Sequence, residues 1–587
     1  MKNFIKFTFA SMLGIILASI VFTIIGIVTM VGIFTSADTE TTVKENTVFV
    51  LNMDGILCER AQENNPIATL LGEEFSEQSL EDILSAIKKA KDNENIKGIY
   101  IEAGMLEASY ASLEEIRNAL KSFKESGKFI VAYGDNYTQG MYYLASVADK
   151  VIVNPQGSIS WQGLASHIIF YKDLLKKVGV EMEIFKVGTY KSAVEPFIAT
   201  EMSEANREQT TAFLNSTWKR LLEDISASRG MSEDDLKKCA DEFMMISPAE
   251  TYIANGLADT LLYKDGVLNY LKELTGREDD ESLRTLSLAE MKNVKRNEPL
   301  DKSGNIIAVY YAYGEIDSST STDEGINSQK VTNDLRKLRE DENVKAVVLR
   351  VNSPGGSAFG SEQIWREVSL LKEKKPIIVS MGDYAASGGY YISCVADYIV
   401  ANPTTLTGSI GIFGMFPNME KLLTDKLGLH FDGVKTNQFA DMGNMSRSFN
   451  AAEKEAMQNY INNGYKLFVE RCAEGRDMSV EDIQKIAEGR VWTGATAKEL
   501  GLVDELGGLD KAIEIASQKA DLEAYSIINY PAQGSFFDTL LKEGKENYIQ
   551  GKIEESLGEY YHSVKFLQNI KNMDRIQARM PFDLQIQ

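Results

Sequence analysis

The chain has 587 residues, which is too long for a single hydrophobic core, so its sequence predicts at least two domains. Hydrophobic residues make up 44% of it, a share typical of globular domains with an apolar segment rather than of a disordered chain. The formal net charge of -23 argues against nucleic acid as a partner, because phosphate binding needs a basic surface, and we interpret the acidity as favouring solubility.

The N-terminal segment has the length of a membrane anchor. Residues 7–37 contain no charged side chain, and about 20 apolar residues suffice for a helix to cross a bilayer. Lys2 and Lys6 precede this segment, whereas Asp38 and Glu40 follow it, so the positive-inside rule predicts a cytoplasmic N-terminus with the rest of the chain outside. A cleaved signal peptide is the alternative, but its apolar region is usually only about 7–15 residues long.

One unit is present twice in the chain. Residues 92–155 align without a gap onto residues 340–403, at a constant offset of 248. Short apolar runs such as Ala346–Val351 and Ile377–Ser380 alternate with stretches of helical periodicity, a pattern that predicts buried parallel strands joined by helices. The expected fold class is therefore α/β, in two tandem repeat domains.

The domain boundaries follow from this duplication and from local composition. We expect the cytoplasmic N-terminus and anchor at 1–45, a first repeat domain at 46–274 and a second at 305–530. Residues 275–304 are polar and weakly periodic, which predicts a linker. Residues 531–587 form a tail that the sequence assigns neither to a packing helix nor to a surface arm.

The two copies differ at positions where chemistry would be expected. Ser387, in AASGGYY at a strand-to-helix turn, aligns with Gln139 in the first copy. Gly355 and Gly356, in NSPGG after the neighbouring strand, align with a glutamate and an alanine. Glycines let the backbone approach closely, so their N–H groups and that of Gly388 are candidates to bind a developing oxyanion. Either motif alone is more often a simple turn or a helix N-cap, whereas together they indicate an acyl-transfer site.

A nucleophilic serine needs a base, and the histidines are poor candidates. His167, His430 and His562 lie outside the duplicated motifs and far from Ser387 in sequence, which favours packing or surface roles. Cysteine chemistry is equally unsupported. No CxxC pair or metal-ligand spacing occurs, and the sequence leaves disulfide pairing open for the four cysteines, Cys58, Cys239, Cys394 and Cys472.

A lysine is the better candidate for the base. When Lys186 of the first copy is aligned with Lys435 of the second, Lys191 lies opposite Ala440. The first copy thus keeps a lysine that the second lacks, while the second keeps the serine that the first lacks. Most lysines are solvated surface charges, but that interpretation does not explain why the two losses are complementary.

The motifs AASGGYYIS, NSPGGS, TGSIGIFG and VGTYKSAVEPF closely resemble the long, duplicated form of signal peptide peptidase A, a family also called protease IV. The resemblance runs from the anchor to about Ala520. It implies a serine peptidase built from two repeats of the stacked β-β-α fold of the Clp protease subunit and the crotonases. It further implies Ser387 as nucleophile, Lys191 as general base and Ser409 as the residue that orients the lysine.

The resemblance also implies partners, and the charges that flank the anchor predict the location. The expected substrates are peptides, in particular the remnants of cleaved signal peptides, and the expected assembly is a homotetramer. The expected location is the inner membrane, spanned once, with the catalytic part on the periplasmic side. No cofactor or metal is expected.

The proposed chemistry requires that Lys191 be neutral when it accepts the proton of Ser387. A solvated lysine has a pKa of about 10.4, and burial can lower that value by several units. We therefore expect a partly dry site at an interface between the two repeats. Whether the two residues meet within one chain or between neighbouring chains stays open.

Two other classes of function are compatible with parts of the sequence. A crotonase-like acyl-CoA hydrolase or isomerase would share the fold and the oxyanion site, but an external location disfavours an intracellular cofactor. A non-enzymatic membrane scaffold would leave both Ser387 and Lys191 unreactive towards a fluorophosphonate.

Overall fold

The computed structural model describes residues 40–61, 77–278, 280–295, 301–317, 325–532 and 575–580, together with scattered residues between 7 and 22. Of the predicted anchor, residues 7–37, only scattered residues are described, and the rest lies outside these ranges. Among the residues described, no helix combines the length and the apolar character needed to cross a membrane.

The first repeat alternates strands and helices as its sequence predicts. Its elements in chain order are β1 (Thr47–Cys58), β2 (Glu77–Ser79), α1 (Leu80–Asp92), β3 (Ile96–Glu107), α2 (Tyr110–Lys124), β4 (Phe129–Tyr137), α3 (Gln139–Ala145), β5 (Lys150–Ile159), α4 (Lys172–Val178), β6 (Glu181–Lys186), α5 (Glu195–Ile198), α6 (Glu204–Arg229), α7 (Glu233–Asp241), α8 (Glu250–Ala254), β7 (Thr260–Leu261), α9 (Lys264–Leu274), β8 (Thr285–Leu286) and α10 (Leu288–Lys292). Its main sheet has the order β2-β1-β3-β4-β5-β7, with β8 beside β1, and every pairing in it is parallel.

The second repeat has the same plan. Its elements are β9 (Ile306–Tyr313), β10 (Ile316–Asp317), β11 (Ile326–Asn327), α11 (Ser328–Glu340), β12 (Val344–Ser353), β13 (Gly355–Ser357), α12 (Ala358–Lys372), β14 (Ile377–Ala386), α13 (Gly388–Ser393), β15 (Tyr398–Ala401), β16 (Leu406–Gly408), β17 (Phe413–Asn418), α14 (Ala451–Arg476), α15 (Val480–Ile486), β18 (Val491–Thr493), α16 (Gly494–Glu499), β19 (Glu505–Leu506), α17 (Leu509–Lys519), β20 (Ser526–Tyr530) and β21 (Ile576–Arg579). Its sheet has the order β18-β16-β14-β12-β9-β20.

The duplication is visible in the elements themselves. Strand β3 begins 248 residues before β12, and β4 begins 248 residues before β14. Apolar side chains cover both faces of each main sheet, as expected for parallel strands joined by helical crossovers. The expectation of a duplicated α/β fold is thereby confirmed.

A third sheet joins the two repeats, with the order β11-β10-β13-β21-β17-β6. Strand β6 of the first repeat runs antiparallel to β17 of the second, with Lys186 opposite Phe413. Strand β21, from the tail, lies between β13 and β17 and is antiparallel to both. The chain that follows β6 is therefore held against the second repeat.

The segment predicted as a linker contains regular structure. Strand β8 adds to β1, and helix α10 is capped by Ser287, with Met291 fully buried against the first repeat. Residues 275–304 are mostly polar, so their composition did not reveal the few apolar residues that pack this segment against the first repeat.

A buried ion cluster also joins the repeats. Arg350 of β12 donates to Glu115 Oε1 of α2 at 2.7 Å and to Glu59 Oε2 at 3.0 Å. Asn402 Nδ2 donates to the same Glu115 oxygen at 2.8 Å. Burial disfavours the charged guanidinium, but Glu115 and Glu59 outweigh that effect and raise the pKa of Arg350. Charges from both repeats therefore compensate one another in their interface.

Candidate active site

Ser387 occupies a strained turn between β14 and α13. Its backbone has φ 56° and ψ -111°, a conformation that an L side chain adopts only when its surroundings impose it. The Ser387 N–H donates to Gly408 O at 2.8 Å, which fixes the turn against β16. The side chain does not cap the helix, so the hydroxyl is directed elsewhere.

The hydroxyl of Ser387 meets Lys191, which lies 196 residues earlier in the chain. Lys191 Nζ donates to Ser387 Oγ at 2.7 Å, and it also donates to the carbonyl oxygen and to Oγ of Ser409, each at 3.0 Å. All three side chains are fully buried. The structure therefore brings the predicted serine and lysine of the two repeats together within one chain, together with Ser409.

The environment of Lys191 favours the neutral amine. Burial lowers the pKa of Lys191 well below that of a solvated lysine, and in the described part of the chain no carboxylate contributes an opposing shift. The groups around the amine are two hydroxyls, which can donate as well as accept, and one carbonyl, and none of them carries a full charge. Such a lysine is prepared to accept a proton.

First-repeat side chains hold the loop that carries Lys191. Ser192 Oγ donates to Asn206 Oδ1 at 2.9 Å, and Gln209 Nε2 donates to Tyr190 O at 3.0 Å. Asn206 and Gln209 both lie on α6, one helical turn apart. Gln209 also accepts from the N–H of Val491 at 3.2 Å, which ties the loop to β18 of the second repeat.

The backbone of the second repeat also contacts the loop that carries Lys191. The N–H of Tyr190 donates to Glu488 O at 2.9 Å. Gly489 has φ +79°, and a Cβ added there would lie 2.7 Å from Lys191 Cβ. Only glycine permits this approach. No signal in the sequence singled out Gln209 or Gly489, because their importance arises from contacts between distant segments.

The predicted oxyanion glycines lie beside Ser387. Gly355 and Gly356 have φ of 104° and 150°, and a Cβ on Gly355 would lie 2.8 Å from the Gly388 nitrogen. The Gly355 N–H donates to Ser353 Oγ at 3.2 Å, so this amide already has a partner. The Gly388 nitrogen and β13 therefore adjoin the nucleophile, as an oxyanion site requires.

The corresponding place in the first repeat is filled. Gln139, which aligns with Ser387, donates to Tyr110 Oη and accepts from the backbone of Gly163. Ile159 pairs with Tyr137 in the first repeat, as Thr407 pairs with the equivalent Ala385 in the second. Trp161 lies two residues after Ile159, as Ser409 lies two residues after Thr407, and Trp161 is fully buried. At these two equivalent positions the first repeat therefore has a hydrogen-bonded amide and an indole instead of two serines.

The other candidate groups lie elsewhere. His167 and His430 are exposed, Ala440 is also exposed, and His562 falls outside the described residues. The four cysteines are free thiols, and burial raises the pKa of the Cys58 thiol to about 12. These thiols are poorly suited to act as nucleophiles.

Comparison with known proteins gives matches over most of the chain. The sequence profile described as "Peptidase family S49" matches residues 122–278 and again 369–523. "Protease 4" from Salmonella typhi is 38% identical over 84% of this chain and 81% of its own length. "Protease 4" from Haemophilus influenzae is 37% identical over 80% of this chain and 78% of its own. Among solved structures, a ClpP1 mutant from Listeria monocytogenes is matched with a TM-score of 0.24 and 18% identity, over 35% of this chain and 94% of its own.

Proposed function

This chain belongs to peptidase family S49 and is a serine peptidase, and from that premise we propose that Ser387 and Lys191 form the catalytic dyad of a membrane-bound endopeptidase. The family matches confirm the resemblance seen in the motifs, including its duplication. The observation that carries the proposed dyad is the 2.7 Å contact between Lys191 Nζ and Ser387 Oγ in a fully buried setting.

In the first half of the reaction, neutral Lys191 accepts the hydroxyl proton as Ser387 Oγ attacks the peptide carbonyl. The carbonyl oxygen becomes an oxyanion beside the N–H groups of Gly356 and Gly388, to which we assign its stabilisation because the Gly355 N–H is engaged by Ser353. The Lys191 ammonium then donates its proton to the leaving amine, and an acyl-enzyme on Ser387 remains.

In the second half, Lys191 takes a proton from water, and the resulting nucleophile attacks the acyl-enzyme. The amine then returns the proton to Ser387 Oγ as the acyl C–O bond to Ser387 breaks, and the carboxylic acid product loses its remaining proton to solvent. Ser409 supports both halves of the reaction, because its carbonyl and hydroxyl oxygens each lie 3.0 Å from Lys191 Nζ and hold the amine in place. A fixed amine position keeps the proton-transfer distance short.

We assign remnants of cleaved signal peptides as the substrate class. Residues 7–37 would anchor the chain, with the catalytic part on the periplasmic side of the inner membrane, where such apolar peptides are produced. A homotetramer is the assembly that the family resemblance suggests.

The test is hydrolysis of an apolar peptide amide by purified full-length protein and three variants. Ser387→Ala and Lys191→Ala should each lower kcat by at least about 100-fold, the usual scale for losing a nucleophile or a general base. Lys435→Ala is the matched control, since this lysine of the second repeat is exposed and its hydrogen bonds to described residues, Gln438 and Asp441, stay within its own surface loop. Undiminished turnover in Lys191→Ala would rule out the dyad.

A further inference from the structure

Arg490, from the second repeat, contacts the loop that carries Lys191. The guanidinium carbon of Arg490 lies 4.6 Å from the centre of the Tyr190 ring, and Nη1 donates to Tyr190 Oη at 3.1 Å. Tyr190 directly precedes Lys191 in the chain. The guanidinium group therefore contacts the neighbour of the proposed base through both a ring face and a hydrogen bond.

A carboxylate of the first repeat completes a triangle with these two side chains. Arg490 Nη2 lies 2.9 Å from Glu208 Oε1, and Tyr190 Oη donates to Glu208 Oε2 at 3.1 Å. Glu208 lies on α6, the helix whose Asn206 and Gln209 also hold the loop of the lysine. An arginine can make both contacts at once, because its planar guanidinium group presents several N–H donors in fixed directions.

The second repeat holds Arg490 from the other side. The guanidinium carbon lies 4.4 Å from the centre of the Trp492 ring, and Trp492 Nε1 donates to Ile486 O at 2.9 Å. The Ser409 N–H donates to the carbonyl oxygen of Arg490 at 2.7 Å. One residue thus contacts the loop of Lys191 with its side chain and, with its backbone, the serine whose oxygens hold the lysine amine.

The first repeat has different residues at the equivalent positions. Gly256 of GLAD aligns with Gly501 of GLVD, and the aspartate that ends each motif accepts from the backbone of the equivalent strand, β5 or β15. Continued without a gap, this alignment places Met245 opposite Arg490 and a serine opposite the tryptophan. The cation and its indole therefore come from the copy that keeps the nucleophile, whereas the tyrosine and glutamate come from the copy that keeps the lysine.

We propose that Arg490 is a positioning residue of the peptidase reaction. Its guanidinium group joins the loop of Lys191 to the strand segment that holds Ser409, and it thereby fixes the distance between Lys191 Nζ and Ser387 Oγ. The guanidinium group acts through Tyr190 and Glu208, not on the reacting atoms. This inference rests on the proposed function, because that distance matters only if the two residues form the dyad.

The first test compares full-length wild type with Arg490→Lys, which keeps the charge but loses the planar fork and its stacking. We expect kcat for a peptide amide to fall by about tenfold, with KM changed by less than about twofold, because the base is displaced while substrate contacts stay.

Arg471→Lys is the matched control. Arg471 also stacks on an indole, at 3.7 Å from the centre of the Trp365 ring, and also pairs with a carboxylate, that of Glu362, at 2.8 Å. Its side chain is 26% exposed, against 21% for Arg490, and all of these partners belong to the second repeat. We expect wild-type kcat in Arg471→Lys. Wild-type kcat in Arg490→Lys, or an equal loss in both variants, overturns the proposal.

The pH profile separates positioning from stability. A displaced lysine loop admits water to the amine, which moves the pKa of Lys191 back towards that of a solvated lysine. The pH at which kcat/KM is half its maximum should therefore rise by at least about 0.5 unit in Arg490→Lys and stay at the wild-type value in Arg471→Lys. A half-maximal pH that Arg490→Lys leaves unchanged also overturns the proposal.

A double-mutant cycle tests whether Arg490 acts through Tyr190. Tyr190→Leu removes the ring and the hydroxyl and should lower kcat by about tenfold, and the variant with both substitutions should lose no more than either alone, because both changes break the same contact. Losses that multiply to about 100-fold would mean that the two residues act independently, which contradicts the proposed route.

A Lys191→Ala enzyme in the same kinetic series separates the two levels of inference. If it hydrolyses the peptide amide as fast as wild type, the proposed function fails. If it is inactive while Arg490→Lys behaves like Arg471→Lys, the dyad stands and only the positioning role of Arg490 fails.

Discussion

Lys191 Nζ lies in a fully buried pocket, within 3.0 Å of three oxygen atoms that carry no full charge. Burial favours the neutral amine, which can donate to both oxygens of Ser409 and accept the hydroxyl proton of Ser387. Among the described residues no carboxylate pairs with the amine, so none of them offsets the cost of removing a charged ammonium from water. Burial is what allows this lysine to act as a base near neutral pH, whereas the pKa of a histidine lies near neutrality without burial.

The lowered pKa of Lys191 has a consequence for stability. The unfolded chain binds a proton at this lysine up to about pH 10.4, whereas the folded chain releases it at lower pH, so the free energy of unfolding rises with pH between the two values. The rise is up to about 1.4 kcal/mol per pH unit. Urea denaturation at pH 7 and pH 9 should therefore show a gain for wild type that Lys191→Met lacks. Equal gains would mean that Lys191 is protonated in the fold.

Ser409 should act through the lysine. Ser409→Ala removes one of the acceptors of the amine, and we expect kcat to fall by about tenfold with KM little changed. The pH at which kcat/KM reaches half its maximum should shift as well, because the hydroxyl bonds the base itself. A loss confined to protein stability, with both kinetic values intact, would leave Ser409 only a structural role.

At the scale of elements, the loop that carries Lys191 depends on a glycine of the other repeat. Gly489→Ala would place a Cβ 2.7 Å from Lys191 Cβ, whereas Gly501 has the same φ of +79° and only Met478 Sδ nearby, at 3.7 Å. Both substitutions should cost about 1 kcal/mol of stability for the left-handed backbone. Only Gly489→Ala should also lower kcat, by moving the lysine. Equal kinetics in the two variants would show that the contact does not position the base.

Local pattern was sufficient for some elements and insufficient for others. The apolar runs of β12 and β14 and the strand-to-helix turn at Ser387 follow from short-range periodicity and turn chemistry, and they occur as predicted. Strands β6 and β21 join a sheet whose other members lie far away in sequence, and short polar segments of this type give no signal of their partners. The sequence also did not predict the hydrogen bond from the Gly355 N–H to Ser353 or the burial of Trp161 in the first repeat, because both depend on packing.

At the scale of the whole molecule, activity should depend on how the repeats dock, because each supplies one residue of the dyad. Glu115→Gln weakens the buried interaction with Arg350 across the interface, and loss of one partner of a buried pair costs about 3–5 kcal/mol. Glu367→Gln is the control, since Glu367 is equally buried but pairs with Arg336 and Arg339 of its own repeat. Both variants should unfold at lower urea concentration.

Only the interface variant should change catalysis while still folded. We expect Glu115→Gln to lower kcat/KM at a temperature where circular dichroism shows both proteins folded, because the distance between Lys191 and Ser387 depends on docking. If Glu367→Gln loses as much activity, the effect belongs to general stability and the interface has no special role. The complementary losses in the two copies predicted a site shared between the repeats. The buried charges that align the repeats could not be predicted in this way.

The most direct test of the dyad is the rate at which a fluorophosphonate labels Ser387, measured by peptide mapping in wild type, Lys191→Ala and Lys191→Arg. We predict labelling of Ser387 in wild type and a rate lower by at least about 100-fold in both variants, because alanine cannot accept a proton and a guanidinium stays protonated. Labelling of Ser387 in Lys191→Arg at the wild-type rate would contradict the assignment of Lys191 as the base.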